Sequence, residues 1–133
     1  MKKIEHLGIA VKDIDKANKI FAKIFGKEHY KIEEIMTEGV MTSFFQIGSN
    51  KIELVAPTSE SSPIYKFLKN RKEGIHHVAF EVEDINLEML RIKKEGIRLL
   101  NDKPKHGADN KLICFLHPKD TNGVPIELTQ TKF

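Results

Sequence analysis

Two histidines and two glutamates stand at matching places in a sequence that repeats itself once. His6 opens Leu7-Gly8-Ile9-Ala10-Val11-Lys12-Asp13-Ile14, and His77 opens Val78-Ala79-Phe80-Glu81-Val82-Glu83-Asp84-Ile85. Each copy is followed at a similar distance by a second shared segment, Ile52-Glu53-Leu54 and then Ile126-Glu127-Leu128. Two imidazoles and two carboxylates make a borderline-to-hard donor set suited to Zn, Ni, Co, Mn or Fe(II), with positions left for water or substrate. A lone histidine on a strand is more often a hydrogen-bonded structural residue than a ligand. An inward glutamate is rarer, because burying a carboxylate unpaired costs several kcal/mol, roughly. The pattern alone leaves the metal site and the structural reading both open.

The elements that must hold these side chains follow from periodicity. Residues 3–11 alternate as a strand, with His6, Gly8 and Ala10 on one face and Leu7, Ile9 and Val11 on the other. Asp13 then caps a helix running to about Gly26, with Ile14, Ala17, Ile20, Phe21, Ile24 and Phe25 at helical spacing. Strands are expected at about 28–36, 40–47 and 50–56; in the last, Lys51, Glu53 and Val55 share a face. The connector 57–73 holds a short helix with Ser62 as cap and Pro63 at its first position. The second half reads as strand 75–82, a helix over about 85–95 behind Asp84, a strand near 97–100, a polar loop 101–110, and strands 111–116 and 124–130. The fold class expected is α+β: one domain over 1–133, with βαβββ modules at 1–56 and 74–133. Pseudo-twofold association of these modules would let His6, Glu53, His77 and Glu127 converge. His76 points to the opposite face from His77, so both cannot bind one ion.

Composition narrows the function classes. At 133 residues the chain has room for one domain with a real core. A net charge of +3, with no basic run interleaved with aromatics, argues against a nucleic-acid partner. The single cysteine, Cys114, excludes a disulfide framework and sits in the apolar run 112–116, where a buried inert thiol is expected. No apolar run approaches membrane-spanning length and the N-terminus lacks an apolar leader core, so a cytoplasmic location is expected.

The chain resembles the vicinal oxygen chelate (glyoxalase/bleomycin resistance/dioxygenase) superfamily along essentially its whole length. Within it, the nearest likeness is to the methylmalonyl-CoA epimerases. The stretches that carry this are His6 to Val11, Lys51 to Pro57, Ser62 to Leu68, Gly74 to Phe80, and Phe115-Leu116-His117-Pro118-Lys119 running on to Gly123-Val124-Pro125-Ile126-Glu127-Leu128. The connector and His117-Pro118-Lys119 discriminate best, since glyoxalase I usually carries Asp-Pro-Asp-Gly near the latter. The resemblance implies a half-open barrel of two modules around one divalent ion (Co, Ni, Zn or Mn) held by His6, Glu53, His77 and Glu127. It implies inversion of the carbon next to a thioester by proton abstraction and return, with Glu127 and Glu53 as the acid/base pair, and a homodimer. The substrate would be a coenzyme A thioester, or a glutathione derivative in the glyoxalase I alternative. A non-catalytic binding protein of the same fold is a second alternative, which the four filled ligand positions oppose. One departure stands out: Thr42 occupies a place where some relatives carry a catalytic Glu. Lys105, Lys111 and Lys119 are candidates for the coenzyme A tail, although solvated surface roles suit any single one better. His29, His106 and His117 lack symmetric counterparts and read as loop or surface residues.

Overall fold

The computed structural model describes residues 1–132. It is α+β, and its contacts divide the chain into two compact units, one from His6 to His76, the other joining Met1–Glu5 to the chain from His77 onward.

The first unit contains most of β1 (Lys3–Ala10), then α1 (Ile14–Phe25), β2 (Lys31–Ile35), β3 (Val40–Ile47), β4 (Asn50–Pro57) and α2 (Pro63–Arg71). Its strands lie in the order β2-β3-β4-β1, antiparallel until β4 pairs in parallel with β1. Asp13 caps α1 by accepting from the Lys16 amide at 3.1 Å, and Gly26 ends it in the left-handed region at φ 71°. Gly39 turns the chain from β2 into β3 at φ 64°, where a Cβ would lie 3.2 Å from that of Ser62. Ser62 caps α2 behind Pro63, as expected.

The expected apolar face of β1 packs as read: Ile9 and Val11 join Ala17, Phe21, Phe25, Phe45 and Leu54. Phe45 and Leu54 are fully buried, each worth roughly 1.5–3 kcal/mol in transfer free energy. The stripe on α1 is narrower than expected. Ile20 and Ile24 are 48% and 64% exposed, while Asn18 is buried and accepts a hydrogen bond from the Ser43 hydroxyl. At 100° per residue, Asn18 lies between Phe25 and Ala22 on the helix wheel, whereas Ile20 and Ile24 fall to one flank of the contact. On the other face of β1, Ala10 packs with Val40, Val55, Ile64 and Leu68 under α2.

The second unit repeats the plan with most of β5 (Gly74–Glu81), then α3 (Ile85–Lys94), β6 (Lys105–His106), β7 (Lys111–Phe115) and β8 (Ile126–Thr131). The order β5-β8-β7-β6 and its strand directions match the first unit. Asp84 caps α3 through the Leu87 amide at 3.1 Å. The core joins Val82, Ile85, Met89, Ile92, Cys114, Leu116 and Leu128.

The strand expected near 97–100 does not form; Leu99 makes a single bridge to Leu116. Ile97 and Leu99 turn into the α3 core, which accounts for the alternation that read as a strand. The edge strand is instead Lys105–His106, inside the stretch expected to be a loop. Gly107 permits it, since a Cβ there would meet Ile113 Cγ2 at 2.8 Å. Among the described residues, no helix is long and apolar enough to cross a membrane.

Candidate metal centre and active site

In the first unit the parallel pairing of β1 with β4 sets His6 beside Lys51 and Gly8 beside Glu53. His6 and Glu53 are both buried, and His6 Nδ1 lies 3.1 Å from Glu53 Oε2. Gly8, level with Glu53, brings no side chain and leaves room above the carboxylate. On the other side of β4, Phe44 is level with Glu53, and Lys31 is level with Phe44. Lys31 Nζ stands 5.0 Å from the centre of the Phe44 ring.

The second unit makes the same construction from its own strands. His77 and Glu127 are buried, and His77 Nε2 lies 3.7 Å from Glu127 Oε1. Ala79 is level with Glu127, as Gly8 is with Glu53, and Phe115 is level with Glu127, as Phe44 is with Glu53. Lys105 Nζ stands 5.8 Å from the Phe115 ring centre, the counterpart of Lys31 over Phe44. Each unit therefore buries one imidazole against one carboxylate and lines the approach with a Phe and a Lys.

These pairs have the donor chemistry of a metal site. Nitrogen and carboxylate oxygen without thiolate suit a borderline divalent ion. A carboxylate buried this deeply needs a proton donor or a cation to remain charged. The residues present fit such an ion.

The other sequence candidates fall elsewhere. His76 packs edge-on against Phe67, ring centres 4.8 Å apart, and burial lowers its pKa. His29 faces Phe45, His106 pairs with Lys132 Nζ at 2.7 Å, and His117 Nδ1 accepts from the Lys119 amide. Lys119 is exposed, and Lys111 Nζ donates to Thr131 Oγ1 at 2.7 Å. Thr42 is buried, level with Glu33 on one side and Val55 on the other. Sequence reasoning passed over Lys51, which is buried with its Nζ 3.8 Å from Glu53 Oε2. The signal was present: alternation had already put Lys51 on the face of Glu53.

A repeated βαβββ unit, each copy burying one His–Glu pair on its sheet, defines a class. The chain belongs to the Glyoxalase/Bleomycin resistance protein/Dioxygenase superfamily, whose model matches residues 5–115. Within it, the chain is 42% identical over 130 residues to the ethylmalonyl-CoA/methylmalonyl-CoA epimerase of Cereibacter sphaeroides, covering 96% of this chain and 97% of that one. It is 40% identical over 129 residues to the mitochondrial methylmalonyl-CoA epimerase of Homo sapiens, covering 96% of this chain and 73% of that one. A solved variant of the Streptomyces coelicolor methylmalonyl-CoA epimerase, in complex with 2-nitronate-propionyl-CoA, matches 100% of this chain and 99% of its own. Its TM-score is 0.96 at 33% identity.

Proposed function

We propose that this chain is a metal-dependent methylmalonyl-CoA epimerase that works as one domain over 1–133, in a homodimer. His6, Glu53, His77 and Glu127 together hold a single Co, Ni, Zn or Mn ion. The observation that carries this reading is the duplicated buried His–Glu pair, His6 with Glu53 and His77 with Glu127. The similarity to epimerases along the whole chain supports the substrate.

Inverting a carbon requires a proton to leave one face and return to the other. Glu127 takes the proton from one face, and Glu53 serves the opposite face. Thr42 has no acid to offer near neutral pH. When bound, a divalent ion supplies a Lewis acid that stabilises the negative charge developing beside the thioester carbonyl. The two imidazoles, neutral as ligands, add no charge of their own. Gly8 and Ala79 keep side-chain bulk away from the glutamates where the acyl group must enter.

The test is proton exchange in heavy water with protein loaded in turn with Co, Ni, Mn and Zn. Methylmalonyl-CoA should take up deuterium at the malonyl carbon with inversion, only when metal is present. Glu127→Gln should keep its metal and lose about 10²–10⁴-fold in exchange rate. A Glu127→Gln protein exchanging at the full rate removes Glu127 from the mechanism. Formation of lactoylglutathione from the methylglyoxal–glutathione adduct, with no exchange into methylmalonyl-CoA, would move the chain to glyoxalase I.

A further inference from the structure

Thr129 is fully buried, and among the described residues its hydroxyl has no hydrogen-bond partner. It stands two residues beyond Glu127 on β8, on the same face of the strand, while Leu128 between them turns into the α3 core. A buried hydroxyl without a partner is a cost that the fold need not bear, because valine has the same shape and no donor to satisfy. The first unit has that valine. Val55 follows Glu53 by two residues as Thr129 follows Glu127, and it is buried. It is level with Ala10 on β1 as Thr129 is level with Glu81 on β5. The βαβββ plan therefore closes without this hydroxyl, and the second unit keeps it for some other purpose.

The neighbours of Thr129 on this face narrow the choice. Ile113, level with it on β7, has no acceptor in its side chain. Glu81 is partly exposed, and its carboxylate lies 3.8 Å from Lys2 Nζ, toward the surface. Glu127 is buried and stands about 6.6 Å back along the strand, a span that a glutamate side chain and a hydroxyl can bridge. A carboxylate has two oxygens, so one can bind an ion while the other accepts a hydrogen bond. We propose that Thr129 is a positioning residue for Glu127: its hydroxyl donates to the carboxylate oxygen turned away from the ion and so fixes how Glu127 ligates. The proposal rests on the metal reading of the proposed function and deepens it. Outer partners of this kind commonly carry about 10–100-fold in metal affinity.

The experiment compares wild type, Thr129→Val, Thr129→Ser, Glu81→Gln and the double variant Glu81→Gln/Thr129→Val. Co²⁺ affinity is measured by calorimetry, the visible spectrum of the cobalt-loaded protein reports how the ligands are arranged, and urea unfolding in chelator reports the fold. Thr129→Val should bind Co²⁺ about ten-fold more weakly, with an altered cobalt spectrum. In chelator it should be at least as stable as wild type, because the unpartnered hydroxyl is gone. Thr129→Ser keeps the hydroxyl and should keep both the affinity and the spectrum. The loss should persist when Glu81→Gln is already in place; its disappearance there would assign the hydroxyl to Glu81 and overturn the proposal. A Thr129→Val protein that binds Co²⁺ as tightly as wild type, or whose weaker binding only tracks a loss of stability in chelator, overturns it too. Thr129→Ala gives the same reading of affinity if Thr129→Val does not fold. A wild type that binds no Co²⁺ withdraws the metal reading and the proposal with it, an outcome distinct from binding that ignores Thr129.

Discussion

Asn18 and Ser43 meet between α1 and β3, where neither has access to water, and the serine hydroxyl donates to Asn18 Oδ1. Replacing Asn18 by Ala removes the acceptor and leaves a buried hydroxyl without its partner, which costs about 1–3 kcal/mol. Asn18→Ala should lower the urea midpoint accordingly, and Asn18→Ala/Ser43→Ala should recover part of the loss. Additive losses in that cycle would mean that the two side chains do not depend on each other. Nothing in the sequence marks Asn18, because an amide in a helix reads as solvent-facing; its burial follows from where β3 crosses the helix. Residues whose neighbours carried the signal were legible. Cys114, flanked on both sides by apolar residues, is fully buried, and desolvation raises its thiol pKa. His6, Glu53, His77 and Glu127 were legible for a different reason: alternation put each opposite an apolar face, and all four are buried. Lys51 obeyed the same alternation, but a lysine is so rarely buried that composition argued against its own position.

Helix starts were legible because capping is local chemistry. Asp13, Ser62 and Asp84 each accept from the first turn of the helix that they begin, and only a few residues decide it. The edge strand was not, since pairing at Lys105–His106 depends on a close approach of Gly107 to Ile113 that local sequence does not display. The segment 97–100 makes two backbone bonds to 115–117, from the Leu100 amide to the Phe115 carbonyl and from the His117 amide to the Arg98 carbonyl, and a clamp adds to them. Asp120 accepts from the Arg98 amide at 2.8 Å and from its guanidinium Nε and Nη2 at 2.9 Å each. These bonds hold the Asp120 carboxyl far below its ordinary value of 3.8. A carboxyl whose folded pKa is depressed contributes stability above its unfolded pKa and loses it as pH falls through the folded one. Asp120→Asn should therefore lower the melting temperature at pH 7. Its gap to wild type should close as the pH is taken below about 4, when the wild-type carboxyl begins to lose its advantage. Thermal melts across that range check it, and a gap independent of pH would mean that the clamp acts through shape alone.

The duplication made the two halves legible, since the same apolar alternation and helix cap occur twice with a similar His–Glu distance, and each half builds its own buried pair. Two such pairs admit two arrangements: one ion shared by both halves, or two independent sites. The proposed function takes the first, because one imidazole and one carboxylate leave a divalent ion with most of its coordination to water, whereas four protein donors complete a site. An ion that binds the folded chain alone stabilises it by mass action, by about 2.7 kcal/mol at one hundred times its dissociation constant. For a chain of this size that is roughly 10 °C in melting temperature. A titration should show one Co²⁺ per chain and a melting temperature that rises with added Co²⁺ and falls back with a chelator. His6→Ala and His77→Ala should each abolish the rise, although they lie in different halves of the repeat. Two ions per chain, or a rise that survives in either variant at half its size, would assign a separate ion to each half and withdraw the shared centre.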